Sequence, residues 1–423
     1  MRKTQRWNHT ALTFLAQWLQ RAKGMPLDIQ LVSIKRTWSR RSDKNELPVS
    51  SFINRLIEPI GGSLTHLLLK DVTFDDISPL SLFSLPSLEQ LVLSFDESAE
   101  NPKNVSALTF ANAPALRRVS FSGSLVEEAD RSVIFPWSQL THFLCYNNPD
   151  YCDFFLLTYL PFCNQLRFLY LDLHDSASEQ PYLQNFLNTM PNRIVLPNLE
   201  TFSLDVGNLN IPYHESLYPN VLFPFELPNL RKLQLALDYI DDSAITPSFL
   251  NELRRLESVE HLSLTIDYPR NSTTTGPDIE TPLRDIFGAL PNIKTLELSL
   301  SPQYSYLVDG LTLSAQQDLL PNLHSLALTF NSADHGKHFI HPDILTQFVN
   351  SRTQLEKITI LVNECGRDRP DLGHPMLELV REALQPFISR GLVQDIRQET
   401  MPSQRWISVD PELRAWPELL ELH

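Results

Sequence analysis

The side chains that could do chemistry here are few and poorly arranged for it. Four cysteines occur, at Cys145, Cys152, Cys163 and Cys365. None has the CxxC partner that a structural zinc site or a redox dithiol needs, so buried free thiols are expected and no metal or cofactor is implied. His174-Asp175 and His214-Glu215 are adjacent pairs; neighbours in an extended strand face opposite sides, so these read as surface polar residues rather than an acid–base couple. GxxxxGK[ST], GxGxxG after a strand, HExxH and GxSxG are all absent, and the 12 glycines are too few for the close backbone approaches such loops require. Ser, His and Asp could still converge in space, but no spacing proposes a triad. The chain is therefore expected not to be an enzyme.

Charge narrows the partners. Lys plus Arg number 35 against 50 Asp plus Glu, a formal charge of -15. That balance opposes polyphosphates and anionic lipid surfaces, so neither nucleic acid nor membrane is an expected partner. No window approaches 18 uninterrupted apolar residues, and the first 25 residues lack the apolar core of a secretory signal. A cytoplasmic or nuclear, reducing location follows as the expectation, which makes the sequons at Asn8, Asn104 and Asn271 coincidental.

The elements that must position any site come from a repeat. The pattern apolar-x-x-apolar-x-apolar starts at Leu64, Leu88, Leu116, Leu140, Leu166, Leu199, Leu230, Val259, Ile293, Leu323 and Leu355, spaced 24 to 34 residues apart. Such triplets are common by chance in so apolar a chain, roughly ten being expected. The prefix decides. Proline stands two residues before six of the eleven, at Pro86, Pro114, Pro197, Pro228, Pro291 and Pro321, where about one coincidence is expected. Its fixed φ and missing N–H suit the start of a strand. The spacing brackets the leucine-rich-repeat period, which predicts an α/β solenoid of about eleven irregular repeats: a curved parallel sheet with helices and loops on the convex side. Strands should centre on Leu67, Leu91, Val119, Phe143, Leu169, Phe202, Leu233, Leu262, Leu296, Leu326 and Ile358. Convex helices are expected over 245–256, 281–290 and 343–349, and loops over 208–224, 268–278 and 331–342.

The division expected is a helical cap and edge strand over 1–60, the repeat array over 61–365, and a second cap over 366–423. In the first cap Ala11, Leu12, Leu15, Trp18 and Leu19 line one helical face before Gly24 and Pro26 stop it, and PLDIQLVSI follows as the edge strand. In the second, an amphipathic helix over Met376–Ile388 precedes Gly391, with Trp406 and Trp416 sealing the last coil.

The phrase WLQRAKGMPLDIQL at Trp18–Leu31, the PNL-initiated degenerate repeats and DPELRAWPELLE at Asp410–Glu421 together resemble fungal F-box-like proteins with irregular leucine-rich repeats. The resemblance implies a protein–protein interaction module, the substrate-recognition arm of a Skp-cullin-F-box ubiquitin ligase or a derivative that lost its F-box. The nearest F-box candidate, LPVSSFINRLIEPI at Leu47–Ile60, matches the family's opening only at Leu47 and Pro48 and runs straight into the first repeat. The Skp adaptor is thus an expected partner only if an F-box lies upstream, and otherwise the partner is a protein of unknown identity. The alternatives are a free-standing scaffold with no ligase link and a β-helical hydrolase or lyase. One triplet plus one helix-like stretch per repeat argues against the last.

Strand phase places the binding site. Positions three, five and seven of each triplet point away from the core. In the third to fifth repeats these are Arg118, Ser120 and Ser122, then His142, Leu144 and Tyr146, then Phe168, Tyr170 and Asp172. Aromatic residues on an open strand face, with charge at the rim, have the composition of a binding hot spot. Arg118, His142, Leu144, Tyr146, Phe168, Tyr170 and Asp172 are the expected protein-binding residues.

Overall fold

The computed structural model describes residues 17–32, 53–95, 108–122, 133–146, 159–172, 193–206, 222–237, 247–266, 280–300, 308–312, 319–332, 341–364 and 375–399, less some positions inside these stretches. They fall into two compact units divided between Leu173 and His174.

The first unit contains six parallel strands, hydrogen-bonded in chain order: β1 Leu27–Val32, β2 Leu64–Val72, β3 Gln90–Phe95, β4 Arg118–Ser122, β5 His142–Tyr146 and β6 Phe168–Asp172. The second contains seven, also parallel and in chain order: β7 Thr201–Val206, β8 Lys232–Leu237, β9 His261–Ile266, β10 Thr295–Leu300, β11 Ser325–Ser332, β12 Lys357–Glu364 and β13 Val393–Glu399. All eleven expected strand centres are present and none is more than 1 % exposed. They also pair with one another, as in Leu233↔Leu262↔Leu296↔Leu326↔Ile358. Each such Leu, Ile, Val or Phe stabilises the fold by about 1.5–3 kcal/mol relative to exposure.

The recurring unit is sharper than the triplet suggests. In ten successive coils the triplet's first residue donates its N–H to the carbonyl three residues earlier, from Leu88 to Leu85 through Leu230 to Leu227 and Leu323 to Leu320, ending with Leu355 to Arg352. Each is a β-turn. The six prefix prolines occupy its second position, where φ near -65° is already required, so they serve the turn before the strand rather than the strand itself. The third turn position ties neighbouring coils together. Asn229 Nδ2 donates to the Pro197 carbonyl at 2.7 Å, Asn292 Nδ2 to that of Glu257 at 2.9 Å, and Ser258 Oγ to that of Leu230 at 2.8 Å. Gln139 Nε2 reaches both Ala113 and Leu116, and Ser87 reaches Gly62. A PNL prefix therefore supplies a turn former, a coil-to-coil tie and a core anchor in three residues.

What connects the strands differs between the units. In the second, helices Pro247–Arg254, Glu280–Ala289, Pro342–Ser351 and Pro375–Ile388 lie where helical spacing predicts them, three of them beginning at proline. Their buried residues, such as Phe249, Leu253, Leu345 and Phe348, follow the helical period. Gly391 ends the last helix at φ 97°, with Leu392 N–H donating to the Phe387 carbonyl, a left-handed closure that favours glycine. In the first unit the connections described are short: single α-helical turns at 55–57 and Phe74–Ile77 and 3-10 turns at Ser78–Leu82, Trp137–Gln139 and Leu160–Phe162. Around them Phe110, Phe135, Trp137, Phe143 and Tyr159 form a continuous aromatic layer, with ring centroids 4.7–5.6 Å apart.

The ends depart from expectation in two places. Trp18 is 58 % exposed while Leu19 is buried, so the two do not share the expected inward face; adjacent helical positions lie about 100° apart. Strand β13 was not expected, because VQDIRQE places Gln394 at a core position and lacks the leucine prefix. Ala11, Leu12, Leu15, Trp406 and Trp416 lie outside the described residues.

Candidate functional site

Of the seven residues expected to form an open aromatic patch, four of the six whose side chains are described are buried. Arg118 is exposed and His142 half-buried, but Leu144 is fully buried and Phe168, Tyr170 and Asp172 are 1 %, 3 % and 6 % exposed. The side chain of Tyr146 lies outside the described residues. His142 stacks on Phe168 with centroids 5.9 Å apart. The physical reason is visible along the whole unit. Leu68, Gln90, Val92, Ser94, Ser120 and Ser122, all on that same face, are buried as well. A parallel strand covered on both faces reads as a continuous apolar run rather than an alternation. The runs LLL in β2, HFLCY in β5 and FLYL in β6 are of that kind. That signal was available, and it marks these aromatics as core.

The second unit opens further along. Strands β8 to β11 read KLQLAL, HLSLTI, TLELSL and SLALTF, a clean alternation suited to one buried and one solvated face. Gln234, Ala236, Ser263 and Thr265 are still buried, whereas His261, Thr295, Glu297, Ser299, Ser325 and Ala327 are half-buried and Lys357 is exposed. Register aligns these into rows across the strands. Lys232, His261, Thr295, Ser325 and Lys357 form one row, and Gln234, Ser263, Glu297, Ala327 and Thr359 the next. Most are short, so the face between β9 and β12 is a low polar floor.

Its charges are sparse. His261 Nε2 lies 3.2 Å from Glu297 Oε1, close enough for an ion pair but not aligned as a hydrogen bond, and Glu297 Oε2 has no hydrogen-bond partner. Burial pushes the Glu297 carboxyl up, but His261, Lys232 and the Ser263 hydroxyl outweigh it and hold the group below the ordinary glutamate value. It stays ionised at neutral pH. At the strand starts the side chains alternate in sign through Glu200, Arg231, Glu260 and Lys294. Lys294 Nζ is 2.7 Å from Glu260 Oε1, and that hydrogen bond and charge, with Arg231, lower the Glu260 pKa. Both side chains are half exposed, so solvent leaves the pair little net stability.

Two other polar groups are structural. Arg193 grips Glu252 with both guanidinium nitrogens at 3.0 Å and Arg255 adds a third contact at 2.9 Å, fastening the strand at Ile194–Val195 to the helix Pro247–Arg254. The Cys163 thiol is buried and pushed up to about 12, so the neutral thiol prevails. Among the described residues no cluster of three His, Cys, Asp or Glu is placed to hold a metal ion, and no helix is long and apolar enough to cross a membrane.

Fold and face together define an α/β protein built on long runs of parallel strands, with one polar sheet face open in its second unit. No family model and no curated protein matches the sequence.

Proposed function

We propose that this chain is a leucine-rich-repeat solenoid that works as a protein–protein interaction module, binding its partner across the open face of β9 to β12. The observation that supports this reading is the contrast along the strands. Outward positions such as Val92, Ser94, Ser120, Leu144, Phe168 and Tyr170 are buried in β3 to β6, whereas His261 of β9, Thr295, Glu297 and Ser299 of β10 and Ser325 and Ala327 of β11 are half-buried, mostly short side chains around one ionised, incompletely bonded carboxylate. Short side chains let a partner's backbone approach, and the hydroxyls of Thr295, Ser299 and Ser325 offer it hydrogen bonds. Coil-to-coil ties through Ser258, Asn292 and Asn322 brace that floor, which lowers the entropy cost of binding. On the resemblance to F-box-like proteins, the partner is the substrate of a Skp-cullin-F-box ubiquitin ligase, or of a derivative without its F-box.

A photo-crosslinking residue at Ser299, compared with one at exposed Leu379, tests the reading in native extract. A discrete adduct is expected from Ser299 alone, and Ala327→Arg should abolish it at unchanged melting temperature. Equal labelling from both positions refutes the face. Co-expression with the Skp adaptor tests the ligase link separately.

A further inference from the structure

The partner's chemistry can be taken further, resting on the reading of this face as a protein-docking surface. At positions three, five and seven of β9 to β12, Glu297 is the one carboxylate and Lys357 the one lysine. Between them lie Thr295, Ser325 and Ala327, too short to reach either. We propose that the face receives a partner segment presenting one cationic side chain to Glu297 and one anionic side chain to Lys357.

Geometry sets the separation. The two residues stand two strands apart and two residues apart along the strand, which places their Cα atoms about 12 Å from each other. Glu297 favours a cation because its carboxylate is ionised and only about a fifth exposed (22 %), with His261 near Oε1, the Ser263 hydroxyl beside it in the row, and no aligned hydrogen bond on Oε2. A buried acceptor left unmade is costly, and a charged donor relieves it better than a neutral one. Lys357 is exposed; its row neighbours are Ser325 and Val393, and the diagonal carboxylate on that face, Asp395, pairs with Arg397 at 3.4 Å. The complementary pattern is a basic and an acidic residue on one side of an extended segment, not a uniformly acidic or basic one.

A polyproline helix repeats its facing every three residues, about 9 Å, and lysine and aspartate side chains span the remainder. The probes are capped proline peptides with two guest positions separated by two prolines, carrying Lys and Asp, Lys and Lys, or Asp and Asp, read by fluorescence anisotropy at low salt. The Lys–Asp peptide is expected to bind about fivefold more tightly than either like-charged one. Lys357→Glu should switch the preference to the Lys–Lys peptide, and Glu297→Gln should erase the preference for lysine. Equal binding of all three, binding of none, or an unchanged order in Lys357→Glu overturns the charge pattern. If Ser299 still crosslinks a protein when the peptides fail, the docking face stands and only the pattern falls. Loss of that crosslink removes both.

Discussion

Arg352 occupies a turn position where Leu85, Leu196, Leu227, Leu256, Leu290 and Leu320 stand in other coils, and it is only 4 % exposed. Its guanidinium bonds three backbone carbonyls of the preceding coil: Leu311, through Nη2 at 2.7 Å and Nε at 3.3 Å, Leu319 at 2.7 Å and Leu320 at 2.6 Å. It also lies 5.3 Å over the Phe348 ring. Leu320 itself sits at φ 52°, a conformation that costs leucine roughly 1–2 kcal/mol. Arg352→Leu restores the shape found at the other turns but donates nothing. The Leu311 and Leu319 carbonyls lose a charged donor, at about 1.5 kcal/mol each, while Leu320 keeps the Leu323 N–H, so the coil boundary should weaken by about 3 kcal/mol. Neighbouring coils support one another locally, so the loss should appear in hydrogen exchange rather than as a uniform shift of a global transition. Amides of β11 and β12 should exchange about a hundredfold faster, while those of β8 and β9 change little. If Arg352→Leu leaves exchange in β11 unaltered, the carbonyls are satisfied in another way and the guanidinium does not hold this boundary.

Tyr170→Ala, at a site now assigned to the core, should cost about 3–5 kcal/mol in urea unfolding; a loss under about 1 kcal/mol would return Tyr170 to the surface. Asn292→Ala removes one coil-to-coil tie and should cost about 1 kcal/mol, with Asn292→Asp no better because the donor is lost. Cys163 should resist a thiol reagent at pH 8 in the folded protein and react fully in denaturant, because burial holds its pKa near 12. Glu297 has a folded pKa below its unfolded value, so its contribution to stability is present above the ordinary glutamate range and lost as pH falls through the folded value. The stability difference between the native protein and Glu297→Gln should therefore shrink as pH falls below about 4.5, and a difference that grows instead would contradict the stated balance of charges.

The strands were legible because the information they need is local. A leucine at the first, fourth and sixth positions and a proline two residues earlier describe one turn and one strand, and Leu233 or Leu296 finds its partner simply by sitting at the same phase in the next coil. The second face was less legible because its burial depends on what covers it. Phe168 and Tyr170 occupy the same phase as Thr295 and Glu297, and phase alone cannot separate them. Composition could have done so, since FLYL is apolar on both faces and TLELSL on one. The Asn ties were also within reach, as asparagine recurs at the third turn position in Asn198, Asn229, Asn292 and Asn322. Strand β13 was not, for Gln394 breaks the pattern that revealed the others.

The recurrent Pro-Asn turn bears on how such a face can be specific while the repeat around it drifts. The turn residues and the inward leucines carry the fold: one sets the backbone, one bonds the next coil and one fills the core. The half-buried and exposed outward positions of β10 to β12 contribute little to any of these tasks. Ser299, Ser325, Ala327 and Lys357 are half-buried or exposed, and replacing such residues is ordinarily worth no more than about 0.5 kcal/mol of stability. Recognition can therefore change there without disturbing the strand beneath. The same freedom is denied to β3 through β6, where the second face is packed and every substitution at Leu144, Phe168 or Tyr170 alters a core. Burial alone thus separates the early strands, packed on both faces, from the half-buried positions of β10 and β11, where substitution costs the fold least.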